Sequence, residues 1–165
     1  MKLYGSLNNR LEENQMFVDK IEVGTLATEY HWSDRTPYEV IEVINDKNVV
    51  IRQLDAKRID NNGMSDCQEY EYTSNEKNYS VEITLRNGKW YKVNRMSKEK
   101  FLKSAERIRD DFKDRSVEKA YNYCVAMSGL TQKQRERIEQ GKEVKRFNKI
   151  DISFGKAEKY FDYSF

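Results

Sequence analysis

The chain holds one proline, seven glycines, two cysteines and a single histidine, and nowhere a run of about 18 apolar residues. Each scarcity excludes something. So little Pro and Gly argues against a disordered linker protein. Without a long apolar run there is no transmembrane helix to place, and no membrane partner is expected. The opening MKLYGSLNNRLEENQ lacks the apolar centre of a signal peptide. Cys67 and Cys124 stand outside any C-x-x-C spacing and are read as free thiols of a reducing cytoplasm. One histidine and two scattered cysteines are too few for a structural zinc site. No metal or cofactor is expected.

What remains is a thin core under a heavily charged surface. Of 165 residues 38% are apolar and 35% charged, with a mean hydropathy of −0.96. Eleven Tyr, seven Phe and two Trp compensate in part, because each buries a large area while tolerating a polar edge. The net charge of +2 is unevenly spread. Residues 1–96 carry 13 Lys/Arg against 16 Asp/Glu, whereas residues 97–149 carry 15 against 9, a regional excess of about +6. A segment of that sign suits nucleic acid or an acidic protein face.

The stretch Tyr38–Leu54 predicts a central β-hairpin. Val40, Ile41, Val43 and Ile44, then Val49, Val50 and Ile51, are β-branched and flank Asn45-Asp46-Lys47-Asn48, four turn formers. Before it, Thr25–Trp32 reads as a strand with Leu26, Thr28, Tyr30 and Trp32 on one face. After it, residues 55–67 form a long connection bent at Asn62-Gly63, and Gln68–Thr73 is a further strand. Tyr79–Arg86 alternates cleanly. Asn87-Gly88 then predicts a type I′ turn, with Lys89–Val93 folding straight back.

At Ser97 the period changes from two to three or four. Phe101, Ala105, Ile108 and Phe112 stripe one helix, capped by Ser97. A second helix begins near Ser116, with Val117, Ala120, Tyr121, Cys124 and Met127 inward, and ends at Gly129. A third opens on the capping-box spelling Thr131–Gln134 and stops at Gly141. Ser6 could cap a short helix through Leu7, Leu11 and Phe17. Near the end Ile150, Ile152 and Phe154 alternate, and the aromatic tail Lys159–Phe165 is expected to pair into the sheet or seal its end. The expected fold is α+β: one domain with a β-rich platform over 1–96, a three-helix insertion over 97–148, and C-terminal strands over 149–165 returning to an antiparallel sheet.

Four groups of residues bear on chemistry, and each has a bland reading beside the functional one. Lys57, Arg58, Asn61 and Asn62 form either a polar loop that grips phosphate or bases, or a turn whose side chains bond their own backbone. His31 beside Trp32, Asp34 and Arg35 has the neighbours of a general base, but no Ser or Cys nucleophile is placed by motif. Glu69, Glu71 and Glu82, on strands taken as adjacent, would be the carboxylates of a Mg²⁺ nuclease, with Glu143 and Lys145 a faint echo of such a site. Arg135, Arg137, Lys142, Lys145 and Arg146, with Lys149 and the possible base-stacking ring of Phe147, are either a nucleic-acid contact or a solvated face offset by Glu136 and Glu139.

Three stretches together, WSDRTPYEVIEV (Trp32–Val43), KRIDNNGMSDCQEYEY (Lys57–Tyr72) and ISFGKAEKYFDYSF (Ile152–Phe165), resemble a family of small, mostly uncharacterised proteins encoded by phages and prophages of Gram-positive gut bacteria. The opening KLYGSLNNRLEEN is similar to the start of phage accessory proteins, among them inhibitors of type II CRISPR systems. The likeness covers residues 1–93 and the C-terminal tail, not 97–148. It implies a protein of the infected bacterium's cytoplasm; the missing nucleophile and metal motifs, rather than the likeness, lead us to expect that it turns over no substrate. Such a protein would disable a Cas9-type effector, its guide RNA or both, by occluding nucleic acid or the groove that holds it. Two other classes stand beside this one: a Mg²⁺-dependent ribonuclease or inducer of guide cleavage, and a phage regulator that binds nucleic acid alone.

Overall fold

The computed structural model describes residues 20–112 and 115–163. The helix expected from Ser6 lies outside them. The elements run β1 (Leu26–Tyr30), β2 (Arg35–Asn45), β3 (Asn48–Gln53), β4 (Asp55–Arg58), β5 (Tyr70–Thr73), β6 (Ser80–Arg86) and β7 (Lys89–Met96). Then come α1 (Lys98–Ile108), α2 (Val117–Met127), α3 (Gln132–Glu139) and β8 (Val144–Phe154). The fold is α+β, with the helices ahead of the last strand. The chain divides into two compact units, Met1–Val93 with Asn148–Phe165, and Asn94–Phe147.

In the first unit the antiparallel sheet closes on itself, in the order β1-β2-β3-β6-β7-β8. Antiparallel registers link β1 to β2, β2 to β3, β3 to β6, β6 to β7 and β1 to β8, and an even strand number lets the ring close without a parallel pair. Closure removes the edges a flat sheet would expose. Ala27, Tyr38, Val40, Val49, Ile51, Val81, Ile83, Trp90, Ile152 and Phe154 fill its core. Burying Ile51 or Ile83, both fully enclosed, contributes about 1.5–3 kcal/mol each.

Both expected hairpins form. Asn87 and Gly88 take φ of 51° and 72°, the paired positive values of a type I′ turn. The β2–β3 turn is held differently: Asn45 Oδ1 accepts Lys47 N–H at 3.0 Å and Asn48 Nδ2 at 2.9 Å. Its tip projects past the core, leaving Val43 and Ile44 exposed.

Four expectations are corrected. Gln68–Thr73 does not join the main sheet; β5 pairs only with β4, in a separate two-stranded ribbon between β3 and β6. On β1 the face shared by Leu26, Thr28, Tyr30 and Trp32 does not set a simple alternation of burial. Ala27, Thr28, Glu29 and Tyr30 are all buried, because the C-terminal segment covers the outer side. There Thr28 Oγ1 donates to Lys156 O at 2.7 Å and accepts Glu158 N–H at 2.9 Å. A strand covered on both faces loses its alternation. Third, β8 starts at Val144, six residues before the expected Ile150, so Lys145 and Arg146 ride a strand. Fourth, beyond Gly155 the described tail returns to the sheet through a single bridge, Arg35 with Tyr160, rather than as a further strand.

The second unit packs α1–α3 around Phe101, Ala105, Ala120, Tyr121, Leu130, Ile138 and Val144. Ser97, Ser116 and Thr131 accept N–H bonds from Lys100, Lys119 and Gln134 as N-caps. Thr131 and Gln134 form the complete capping box. Gly141, at φ 76°, ends α3, with Lys142 N–H donating back to Arg137 O at 2.9 Å. Met127, expected inward, is exposed.

Candidate nucleic-acid interface

α3 has one buried residue, Ile138, so most of QKQRERIE faces solvent. Arg135 and Arg137 lie two positions apart, about 200° around the helix, and so point to different sides. Arg135 Nε donates to Leu130 O at 3.1 Å and closes the α2–α3 connection. Arg137 is exposed and shares a side with Gln134. Arg137 and Gln134 line a cleft of about 330 Å³ with Glu143, Val144 and Lys145.

Neighbouring strand residues point to opposite faces, and this separates Lys145 from Arg146. Lys145 faces the cleft. Arg146 Nη1 donates to Ser128 O at 2.6 Å, where the orphan carbonyls end α2, and a side chain at Gly129 would meet that guanidinium at 3.2 Å. Lys142 Nζ donates to Gln140 Oε1 at 3.3 Å. Phe147, two along from Lys145 on the same face, is 37% exposed. Lys149 belongs to the barrel unit and pairs with Asp151 at 3.1 Å.

Of the two acids expected to offset this charge, Glu136 accepts Gln132 Nε2 at 3.2 Å and stays on the exposed face of α3, whereas Glu139 is engaged elsewhere. Glu139 accepts Tyr121 Oη at 2.5 Å and Lys98 Nζ at 2.9 Å, which hold its carboxyl below the usual range. Burial, then the same bond, pushes the Tyr121 phenol up to about 12. Glu143 pairs with Arg95 at 3.1 Å. Arg137 and Lys145 form no ion pair among the described residues. Of the five cations expected on this unit, these two converge; Arg135 and Arg146 brace backbone carbonyls.

The Lys57–Met64 loop answers to the bland reading. Arg58 grips Asp60 with two bonds, Nε to Oδ2 at 2.8 Å and Nη2 to Oδ1 at 2.9 Å, and also donates to Tyr163 Oη at 3.0 Å. Asp60 accepts the N–H groups of Asn62 and Glu69 as well, each at 2.8 Å. The Arg58 bond, then these backbone bonds, hold its carboxyl far below the ordinary carboxylate range. Asn62 Nδ2 donates to Cys67 O at 2.9 Å. Lys57 and Asn61 alone of the four face solvent without a bond of this kind. Lys57 and its companions sit in the barrel unit; the Arg137 cleft sits in the other.

The catalytic candidates do not assemble. Glu69 flanks the ribbon strand that carries Glu71, while Glu82 is on β6 of the barrel, and β5 and β6 are not paired. No group of three or more His, Cys, Asp or Glu is placed to hold a metal among the described residues. The His31 imidazole does not meet the carboxylate and guanidinium expected beside it. Asp34 accepts Asp162 N–H, and Arg35 binds Glu158 at 2.7 Å. His31 Nε2 lies instead 3.8 Å from Glu29 and 3.3 Å from Thr36 Oγ1.

One polar cluster has no counterpart among the expected sites. Inside the barrel both oxygens of Glu29 bind Lys92 Nζ, at 2.6 and 2.8 Å, and Tyr38 hydrogen-bonds the same carboxylate. Burial, then Glu29, raises the Tyr38 phenol far above its usual range. Its signal in the sequence is Lys92, which shares the strand face of Trp90, where period-two alternation calls for an apolar residue. No helix among the described residues is long and apolar enough to cross a membrane. Compared with protein-family models, curated proteins and solved structures, the chain matches none.

Proposed function

We propose that the protein acts by binding, its helical unit engaging the phosphates of nucleic acid held by a Cas9-type ribonucleoprotein and occluding them in the bacterial cytoplasm. The observation that carries the binding half is the cleft where Arg137 and Lys145 converge without an ion pair among the described residues, in a region with 15 Lys/Arg against 9 Asp/Glu. Two cations beside the polar Gln134 suit a phosphodiester, with Glu143 of the same cleft paired to Arg95. The choice of a CRISPR effector, and of a phage as the source, rests on the likeness carried by the Trp32–Val43, Lys57–Tyr72 and Ile152–Phe165 stretches.

The experiment incubates the pure protein with guide RNA and Mg²⁺, with and without the effector protein, and reads native and denaturing gels. Binding without cleavage is expected. Arg137→Glu with Lys145→Glu should weaken binding and lower the log–log salt slope by about 0.7 for each single-stranded RNA phosphate no longer neutralised. Arg135→Glu and Arg146→Glu added to these should weaken it further, in part through the carbonyls they brace. A double variant that binds at wild-type strength across the salt series removes the cleft from the mechanism. Cleavage of guide RNA by the protein alone replaces the reading with a nuclease.

A further inference from the structure

The barrel unit carries a surface of another kind. β1 and β2 are joined by a short turn whose tip is Trp32, 97% exposed. Tryptophan is a large, mostly apolar side chain that is highly buried on average and enriched among the residues that dominate binding interfaces, so one held almost wholly in water on a folded surface is a candidate anchor. The turn is preorganised. His31 N–H donates to Asp34 O at 2.9 Å, and Asp34 Oδ1 accepts Asp162 N–H at 2.9 Å. That second bond sets the C-terminal segment beside the turn, and with it Phe161, 45% exposed. Tyr160 Oη in turn donates to Asp66 Oδ1 at 2.9 Å, and Gln68 bonds the Phe161 backbone in both directions, at 2.6 and 3.1 Å. The loop ahead of β5 is thereby joined to the C-terminal segment; Ile59 and Met64, in the same connection, are exposed.

The three chain segments that meet here are acidic in sum. Residues 31–36, 55–73 and 156–163 hold five Lys/Arg against eight Asp/Glu. Their two guanidinium groups are neutralised internally, Arg35 by Glu158 and Arg58 by Asp60. Asp34 and Asp66 accept hydrogen bonds but form no ion pair among the described residues. A phosphate backbone would be repelled here. An apolar pocket bordered by Lys and Arg would be attracted at its rim and filled at its centre.

We propose that Trp32 anchors a docking surface for a cationic protein. The inference rests on the proposed function in one respect: the effector protein is taken to supply the pocket, since a protein that holds guide and target strands carries a positively charged channel. The helical unit then contacts the nucleic acid and the barrel unit the protein that carries it.

The test measures affinity for three probes: a Cas9-type effector without guide RNA, the effector with guide RNA, and guide RNA alone. Trp32→Ala should weaken binding to both effector forms by at least about 30-fold, the loss typical of a buried aromatic anchor, and leave guide RNA binding unchanged. Trp32→Phe should recover part of it. Asp34→Asn with Asp66→Asn keeps the hydrogen-bond acceptors, removes two charges, and should flatten the salt dependence on the guide-free effector. Thermal melts of the Trp32 variants should match wild type, because Trp32 stands almost wholly in water, and the Asp34/Asp66 variant should stay close to it because each Asn keeps an acceptor oxygen. Wild-type affinity of Trp32→Ala for the effector overturns the inference, as does an equal loss on guide RNA alone. Wild-type binding to guide RNA but to neither effector form overturns it too, yet leaves the phosphate cleft standing. Loss of effector binding in the Arg137/Lys145 variant but not in Trp32→Ala assigns the contact to the helical unit instead.

Discussion

The two units handle charge in opposite ways. The barrel unit has 15 Lys/Arg against 19 Asp/Glu, and its principal cations are held in place: Arg35 on Glu158, Arg52 on Glu39, Arg58 on Asp60, Lys92 on Glu29. Charge there is architecture. It fastens the tail to β2, β3 to β2, the ribbon loop to itself and β7 to β1. In the helical unit, with its 15 against 9, cations outnumber the acids available, so some must face solvent or a ligand. What differs is whether a counter-ion stands within reach. That separates a charge that stabilises from one free to bind.

The comparison breaks most sharply at Lys92. Replacing it with Met leaves Glu29 buried without its counter-ion, and chemical denaturation should show a loss of about 3–5 kcal/mol. In the helical unit the matching experiment, Lys98→Met, removes an exposed partner of Glu139 and should cost under about 1 kcal/mol. Similar losses in both would erase the distinction.

Thr131→Ala removes half of the capping box on α3 and should cost about 1 kcal/mol by the same measurement. Because α3 carries Arg137, a larger loss of nucleic-acid binding than of stability would tie the cleft to the order of that helix.

Asp60 sharpens the barrel side through pH. Its folded carboxyl titrates below the unfolded value of about 3.9. The ionised form therefore favours the folded loop at neutral pH, and that contribution is lost as pH falls through the acid range toward the folded value. Asp60→Asn should remove this acid dependence and speed hydrogen exchange at the amides of Asn62 and Glu69, which donate to it. Unchanged exchange would mean that the loop is held by other bonds.

The smallest effects should come from carboxylates outside these pairs. Glu69→Ala and Glu71→Ala should each change stability by less than about 0.5 kcal/mol and leave guide RNA binding intact. A folded variant that loses activity at any concentration would return the strand carboxylates to the mechanism.

Local chemistry was legible in this chain wherever the deciding neighbours are near in sequence. Asn87-Gly88 dictates its turn because only certain residues accept paired positive φ, and Thr131 with Gln134 caps a helix three residues away. The change of period at Ser97 marks the helices, and the regional charge excess marks their basic surface. The pairing of β3 with β6 was not legible, nor was the ribbon between them, because alternation reveals a strand without naming its neighbour. Nor was it legible that Arg58 would be bound by Asp60 and Tyr163 while Arg137 has no ion pair among the described residues, since both are exposed-type cations in polar stretches. By itself the sequence determined the elements, their caps and turns, and the distribution of charge along the chain. Only the tertiary structure decided that the sheet closes, that Glu29 and Lys92 meet inside it, and that Trp32 stands in water. Those outcomes depend on which distant residues share a neighbourhood, and that is set by packing rather than by period.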